Sequence, residues 1–354
     1  MENLQKTTKE GHMYRSIKRD DGTYSKSGYI KRALELIGPS ELKKYFNQVL
    51  PDSGAVSRIG MSLDYYGCLV KYGATVADYF EYEFWKKRAV ERKKYITKKY
   101  SQKIQKTFNT GSIKPLSDKL LFNQNFKKFR GSITYFTFDK SEEEFIEFVH
   151  ECDRNIIAKP ITGFSGNGIF KPDVSTDEKA RSVYKELKAT NDYFFEKVFI
   201  QTGILGEIHP YAVNTIRFYT LNTGKEVHPM FAAVRFGGSK EPVDNIHSGG
   251  MSCEVDLESG CIVGKGYNLK GDSFTTHPLS GKLIPGVQIP NWEKICETVK
   301  AAAQMLPDIG YIGWDVAVSN EEICLIEGNE CANIDLPQTC GQRGLKPLYK
   351  QYMK

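Results

Sequence analysis

Two carboxylates and an amide near the end of the chain have the residue types and spacing of a divalent-cation site. The segment ICLIEGN is an apolar run that ends in Glu327, Gly328 and Asn329, and the preceding run WDVAV carries Asp315. If the two runs form a hairpin around SNEE, Asp315 lies across from Glu327, and Asn329 shares the face of Glu327. Such oxygen ligands suit Mg²⁺, so Asp315, Glu327 and Asn329 are predicted metal ligands. The alternative is that Glu327 enters solvent and Asn329 caps a turn.

A lysine on a predicted strand precedes a glycine-rich loop in IIAKPITGFSGNGIF (156–170). The strand delivers Lys159, and the loop contains Gly163, Gly166 and Gly168. Glycines let backbone N–H groups approach an anion, and the lysine adds a positive charge beside it, so we predict a phosphate site. The spacing matches neither the P-loop nor the dinucleotide fingerprint. An ordinary surface loop is the alternative.

The strand FFEKVFIQ (194–201) has apolar side chains that could flank a flat base while backbone groups read its edge. A buried edge strand would have the same pattern.

Arg217 and Arg235 fall on two later predicted strands, and their forked donors suit phosphate or carboxylate, although a structural ion pair is the alternative. His247, in the loop VDNIHSGGM, could be an acid/base group, a substrate contact or a structural histidine.

Composition and charge limit the class of protein. The chain has 354 residues and a net charge of +6, which mildly favours anionic ligands but does not support nucleic-acid binding. No apolar stretch reaches the roughly 18 residues of a membrane span, and the polar N-terminus lacks the apolar run of a signal peptide, so we expect a cytoplasmic protein. The eight cysteines show no CxxC pair, so reduced thiols are expected rather than disulfides or zinc.

The chain that must position these residues divides into a mostly helical segment and a segment of mixed helices and strands. Residues 1–115 are predicted as a mostly helical region, with a break at Gly38-Pro39 and an amphipathic helix over residues 73–100. The basic run 86–100 is a solvated helix face or, alternatively, a surface for an acidic polymer or a membrane.

Beyond residue 115, strands and helices interleave. A helix over residues 141–152 has Ser141 as N-cap and Glu144 at the capping-box position. Further helices are predicted at 177–189 and 291–306, between strands that include the terminal hairpin. The fold class is α+β, with subdomains at 116–200 and 201–354.

The order of these pieces resembles the ATP-grasp superfamily. More narrowly, the chain is similar to the sugar-transfer-associated ATP-grasp proteins, with the group linked to teichuronopeptide synthesis as a near neighbour. The segments that carry this resemblance lie between residues 115 and 335 and are PYAVNTIRFYT, AAVRFGG, VDNIHSGGMSCEVDLESG, HPLSG, IPNW, GYIGWDVAV and LIEGN.

The resemblance implies a fold in which two α+β subdomains clasp ATP, and it implies roles for residues of this chain. Lys159 and Lys119 would contact the phosphates, and Asp315, Glu327 and Asn329 would bind Mg²⁺, with Mn²⁺ as an alternative. The arginines would meet the transferring phosphoryl group or the acceptor, and the loop with His247 would face the active site. The residues expected to receive adenine are Glu196, Lys197, Val198 and Phe199.

The implied reaction is phosphoryl transfer from ATP to a carboxylate, followed by attack of an amine on the acyl phosphate to give an amide. We expect a small-molecule or glycan-linked acceptor in polysaccharide or cell-envelope synthesis, a glycosyltransferase as a candidate partner, and loop 162–168 as a lid. A kinase acting on another acceptor and a non-catalytic ATP-binding scaffold are the alternatives.

Overall fold

The structure is a computed structural model that describes residues 37–161, 168–240, 249–268 and 271–353. The chain divides into two compact units, the first ending at Tyr100 and the second beginning at Ser101. The sequence-based divisions at residues 115 and 200 remain predictions.

The described part of the first unit is helical and has an aromatic core. Rings from several helices, including Tyr65, Tyr79, Phe80 and Phe84, pack edge to face within it. Its helices are α1 (Pro39–Val49), α2 (Ala55–Tyr72), α3 (Val76–Glu81), a 3-10 turn (Phe84–Lys86), α4 (Ala89–Arg92) and the first residues of α5 (Lys98–Phe108).

The prediction of one amphipathic helix over residues 73–100 is wrong. Thr75 and Asp78 form a capping box at the start of α3, so a new helix begins there. Glu83 has a φ of 48°, a left-handed conformation that a continuous helix does not allow. Aromatic residues in this segment pack on several sides of a shared core, and that packing favours short pieces over a single rod.

The described part of the second unit contains ten strands and further helices. Its helices after α5 are α6 (Lys114–Ser117), α7 (Lys119–Asn125), a 3-10 turn (Lys127–Phe129), α8 (Glu142–Glu151), α9 (Asp177–Thr190), α10 (Ile204–Ile208), α11 (Trp292–Gln304), α12 (Asp335–Cys340) and α13 (Lys346–Lys350). Its described strands are β1 (Tyr135–Phe136), β2 (Ile156–Pro160), β3 (Tyr193–Lys197), β4 (Ile216–Asn222), β5 (Val227–Phe236), β6 (Met251–Val255), β7 (Gly266–Tyr267), β8 (Ser273–Phe274), β9 (Tyr311–Val318) and β10 (Ile323–Asn329).

A three-stranded antiparallel sheet of order β1-β3-β2 carries the lysine strand. Helices α8 and α9 cover it with apolar side chains. The predicted capping box of α8 is confirmed: the Ser141 hydroxyl accepts from the Glu144 N–H (3.2 Å), and the Glu144 carboxylate accepts from the Ser141 N–H (2.7 Å). Strand β3 ends at Lys197, four residues earlier than predicted.

A seven-stranded antiparallel sheet of order β10-β9-β4-β5-β6-β7-β8 carries the terminal hairpin. Residues such as Val316, Ile216 and Val234 alternate onto one face and pack against α11, and together they form a large hydrophobic core. Asp315 and Arg217 alternate onto the opposite face. The α+β class and the helical N-terminal region are confirmed, as is the terminal hairpin.

Candidate functional site

A β-bulge in strand β10 brings the two predicted metal-binding carboxylates together. Leu325 pairs with Val316 in the register that the hairpin turn sets, but the next pair is Glu327 with Asp315. Ile326 is therefore an extra residue in β10. Because side chains alternate between faces, the extra residue reverses the face of everything that follows it.

Without the bulge, Glu327 would lie opposite Trp314 on the core face. With it, Gly328 takes that position, and Glu327 and Asn329 point to the opposite face. A Cβ atom on Gly328 would lie 2.8 Å from the side chain of Leu116 and 2.9 Å from the Trp314 ring. Glycine between the two polar residues is therefore a packing requirement, which explains the order Glu-Gly-Asn.

Asp315 is buried and bound by both predicted arginines. Arg217 on β4 donates from Nη2 to Oδ2 at 3.0 Å and also from Nε, and Nη2 of Arg235 lies 3.1 Å from the same Oδ2. Burial opposes ionisation, but the two guanidinium groups outweigh it and hold the pKa of Asp315 far below its usual range. The ion pair considered as the alternative is thus present, and a role for the arginines at a phosphoryl group stays a prediction.

Glu327 is a half-buried carboxylate beside another carboxylate. Loss of hydration is the largest effect that raises its pKa, and the neighbouring charge of Asp315 adds to it. Asn329 Nδ2 lies 3.2 Å from Glu327 Oε1 and 3.4 Å from the carbonyl of Gly313. A divalent cation would relieve the repulsion between the carboxylates and take the amide oxygen as a further ligand, so these three residues fit Mg²⁺.

Lys159 approaches the same region from β2 and pairs with Glu196 on β3. The two residues are diagonal neighbours across the strands, and Nζ of the lysine contacts Oε2 of the carboxylate. Oε1 of Glu196 accepts from Arg130 Nη2 at 2.6 Å and from Asn123 Nδ2 at 2.9 Å. Burial would raise the pKa of Glu196, but Lys159 and Arg130 lower it to about 2.

Lys119 is a second cation close to Lys159. Asp118 caps α7 by accepting from two backbone N–H groups, which puts Lys119 in the first turn of that helix. Its Nζ donates to the carbonyl of Pro160 at 3.1 Å. Burial is the main cause that lowers the pKa of Lys119, and the charge of Lys159 lowers it further. An anion between the two lysines would remove this repulsion.

The two lysines and two of the predicted metal ligands, Glu327 and Asn329, line one cavity of about 120 Å³. The charged and amide side chains on its wall are Lys119, Lys159, Glu196, Glu327, Asn329, Asn123 and Glu330, and its apolar wall includes Leu116, Phe122, Ile169, Phe194 and Ile326. The structure therefore joins the predicted phosphate-binding lysines to two of the three predicted metal ligands, with Asp315 immediately behind Glu327.

Three of the four residues expected to receive adenine lie outside the wall of this cavity. The backbone N–H of Lys197 donates to Thr134, and that of Val198 donates to Asn155, both at 3.0 Å. Phe199 is buried in a separate cluster with Ala317, among other residues. In this structure Glu196 alone of the four is on the cavity wall.

Several predicted site residues lie outside the described residues: Gly163, Gly166, most of the lid loop 162–168, and His247. Gly168 is described and has a φ of 79°, a conformation that favours glycine. A Cβ atom there would also lie 3.0 Å from Pro160.

Sequence reasoning missed Arg130 and Asn123, which bind Glu196. Both lie in a stretch, LLFNQNFKKFRGS, whose residue types carry no recognisable motif. Glu196 lies 66 residues after Arg130 and 73 residues after Asn123, so only the folded chain reveals these contacts.

The described residues contain no other metal cluster and no membrane-spanning helix. Within residues 37–161, 168–240, 249–268 and 271–353, no cluster of three or more His, Cys, Asp or Glu side chains could hold a metal, and no helix combines the length and apolarity of a bilayer span. All eight cysteines are free thiols.

Comparison with known proteins gives one family match. Residues 96–354 match the family described as sugar-transfer associated ATP-grasp. No curated protein sequence matches the chain.

Among solved structures, the chain is similar to the ATP-grasp ligase PsnB complexed with its minimal precursor, at 12% identity and a TM-score of 0.43, covering 70% of this chain and 62% of PsnB. The D-alanine-D-alanine ligase from Coxiella burnetii matches at 12% identity and a TM-score of 0.41, covering 68% of this chain and 56% of the ligase. D-cycloserine synthetase DcsG matches at 10% identity and a TM-score of 0.42, covering 72% of this chain and 77% of the synthetase. The chain thus spans less than two thirds of the first two proteins.

Proposed function

The chain belongs to the sugar-transfer-associated ATP-grasp family, and we propose that it is an Mg²⁺-dependent ligase that uses ATP to join an amine to a carboxylate. The observation that carries the proposal is the shared cavity, in which Lys119 and Lys159 face Glu327 and Asn329. Two cations opposite a carboxylate and an amide are complementary to a polyphosphate whose remaining charge is neutralised by a metal.

The residues have separate tasks in this proposal. Lys119 and Lys159 bind phosphate oxygens, and the lowered pKa of Lys119 supports this because an anion there offsets both its burial and its cationic neighbour. Asp315, Glu327 and Asn329 would hold Mg²⁺, or Mn²⁺ as an alternative. The metal supplies charge neutralisation at the transferring phosphoryl group when it is bound.

The sequence of bond changes follows from the class of reaction. The acceptor carboxylate attacks the γ-phosphorus of ATP, the bond to the bridging oxygen of ADP breaks, and an acyl phosphate forms. The amine then attacks the acyl carbon, and phosphate leaves as the amide forms. No protein nucleophile is needed, so the work of the chain is to position charges and to exclude water.

Arg217 and Arg235 lie next to the metal ligands and are candidates for binding the acceptor carboxylate or the phosphoryl group. In this structure they are held by Asp315. If Asp315 turned an oxygen towards a bound metal, its ion pairs with the two arginines would weaken, and their guanidinium donors could bind an anionic substrate. Such an exchange of ion pairs would couple metal binding to acceptor binding.

The acceptor is proposed to be a sugar acid, an amino acid or a glycan-linked carboxylate in polysaccharide, cell-envelope or related synthesis, with a glycosyltransferase as a candidate partner. The family description supports a connection with sugar transfer. A kinase that phosphorylates another acceptor would use the same nucleotide site. A non-catalytic ATP-binding scaffold is the remaining alternative, and the intact set of two lysines and three oxygen ligands argues against it.

The test is ATP consumption with Mg²⁺ against a panel of sugar acids and amino acids, with products identified by phosphorus NMR. ADP and free phosphate that require both a carboxylate and an amine would establish the ligase. ADP with a stable phosphorylated acceptor would establish the kinase. Glu327→Gln and Lys159→Ala should abolish turnover, whereas Lys179→Ala, which removes an exposed lysine paired with Asp173, should leave it unchanged.

A further inference from the structure

Arg130 is a buried cation that lies between the lysine-bearing sheet and the metal-bearing hairpin. It follows the 3-10 turn Lys127–Phe129, and 2% of its surface is exposed. A fully buried arginine is costly unless its donors are used, and the guanidinium presents five donors in a fixed plane. The hydrogen bonds of the Arg130 guanidinium therefore indicate what this buried side chain does.

One side of the guanidinium binds the bulge in β10. Arg130 Nη1 donates to the carbonyl of Leu325 at 3.1 Å and to that of Ile326 at 3.3 Å. These are the residues at which the strand register shifts. A bulge interrupts the regular ladder of backbone hydrogen bonds, so its carbonyls need donors from elsewhere. Arg130 supplies them directly before Glu327.

The other side of the guanidinium binds the carboxylate that holds Lys159. Arg130 Nη2 lies 2.6 Å from Glu196 Oε1, and Lys159 contacts the second oxygen. One buried carboxylate thus has two cationic partners. If Lys159 turns towards a phosphate, Glu196 keeps Arg130 and is not left as an unpaired buried charge. This arrangement lowers the free-energy cost of moving Lys159 from Glu196 to the nucleotide.

We infer that Arg130 is a positioning residue for the active site: it holds the bulge that turns Glu327 towards Asp315, and it is the permanent counterion of Glu196 when Lys159 binds phosphate. The part of this inference that concerns phosphate rests on the proposed function. The part that concerns the bulge rests on the hydrogen bonds alone.

Lysine cannot replace arginine in this role. An ammonium group is a single point of charge, whereas the planar guanidinium reaches the bulge carbonyls with one nitrogen and Glu196 with the other. Arg130→Lys preserves the charge and can serve one partner at a time, so it separates the effect of geometry from the effect of charge.

Arg154 provides a matched control in the same unit. Its Nη2 lies 2.6 Å from Asp177 Oδ1, and its Nη1 donates to the carbonyl of Val174 at 2.8 Å. It therefore also joins a carboxylate to a backbone carbonyl, but neither partner lines the cavity. Arg154 and Asp177 are partly exposed, so Arg154→Lys controls for the exchange of a bridging arginine outside the site, and the comparison between peptides controls for any loss of stability.

The first experiment is hydrogen–deuterium exchange of the wild-type protein, Arg130→Lys and Arg154→Lys. We expect exchange in the peptide 323–329 to be about tenfold faster in Arg130→Lys, because charge-assisted hydrogen bonds to the bulge are lost. The neighbouring strand peptide 311–318 and the Arg154→Lys variant should be close to wild type. Equal acceleration in both peptides, or none, would overturn the inference, since it would indicate a general stability effect or no effect.

The second experiment measures the dissociation constant of ATP by calorimetry with Mg²⁺ and with EDTA. In Arg130→Lys the gain in affinity from Mg²⁺ should fall about tenfold, while Arg154→Lys keeps it. An unchanged metal effect would contradict the positioning role. If the wild-type protein does not bind ATP at all, the proposed function and the phosphate part of the inference fail, and the exchange experiment alone still decides the bulge part.

Discussion

Replacing Glu327 by glutamine should stabilise the metal-free protein and abolish its Mg²⁺-dependent turnover. The folded protein raises the pKa of Glu327 through burial and through the charge of Asp315. Between the ordinary pKa of 4.5 and the raised pKa, the folded protein therefore binds more protons than the unfolded chain. Stability falls as the pH rises through the raised pKa, and the loss is complete above it. Glutamine keeps the hydrogen-bonding shape and removes the charge.

The expected size of the gain follows from the repulsion between two neighbouring carboxylates. Two like charges in contact repel by about 1 kcal/mol in water, and part of the Glu327 side chain still contacts solvent, so we expect a gain on the order of 1 kcal/mol at pH 8. For a unit of this size that gain corresponds to a rise of about 2–4 °C in melting temperature. Turnover should fall by about a hundredfold or more, because an anionic ligand of the metal is lost.

The assay is thermal unfolding in EDTA at pH 8 and at pH 5, with turnover measured separately in Mg²⁺. The difference between the variant and the wild-type protein should be larger at pH 8 than at pH 5, because the raised pKa of Glu327 moves its unfavourable ionisation to higher pH. Glu321→Gln is the control on the same hairpin: hydrogen bonds from Thr202 and Ser319 lower the pKa of Glu321, so this substitution should not stabilise the protein. A lower melting temperature for Glu327→Gln at pH 8, or an equal gain at both pH values, would refute the argument from carboxylate repulsion. Retained turnover would refute the metal assignment.

Three further predictions concern the ion pairs around the cavity. Lys159→Ala should leave the protein folded, because Arg130 still pairs with Glu196, and should weaken ATP binding by about tenfold or more in calorimetry; unchanged affinity would remove the phosphate role. Arg217→Met should cost about 3 kcal/mol in chemical denaturation, since Asp315 is buried and keeps one guanidinium partner, and a cost below about 1 kcal/mol would show that the ion pair contributes little. The folded pKa of Glu196, about 2 against an ordinary 4.5, means that its stabilising effect is complete above pH 4.5 and is lost as the pH falls towards 2. Acid titration of unfolding should show that decline in the wild-type protein and not in Glu196→Gln.

Residue types and spacing were sufficient to predict the longer helices beyond residue 115 and the strands that carry the candidate site residues. The cap at Ser141 and the apolar alternation of the terminal hairpin are local signals, and both elements are confirmed. The pairing of Asp315 with Glu327 was also predicted, although a regular hairpin with its turn at residues 320–321 would have placed Ile326 there. The bulge that makes the pairing real depends on contacts from a distant arginine, which no local pattern encodes.

Tertiary packing explains where the sequence-based predictions failed or stopped short. Between residues 73 and 100, helical periodicity was present, but aromatic rings packing from several directions divide the segment into short pieces. The predicted adenine strand ends at Lys197, and Phe199 packs into a separate apolar cluster. The link between Glu196 and Arg130 joins residues far apart in the chain and had no sequence signal.

The extra residue in β10 acts on the protein much as a change of reading frame acts on a gene. Every side chain after it points to the opposite face of the sheet. Inserting or deleting one residue between the turn and Glu327 would therefore direct the carboxylate into the core beside Trp314, although the sequence Glu-Gly-Asn itself would be unchanged. Two proteins whose last strand ends in the same Glu-Gly-Asn can therefore differ in whether they have a metal site. The count of residues separating the two carboxylates, and not only their presence, is the property to compare between chains.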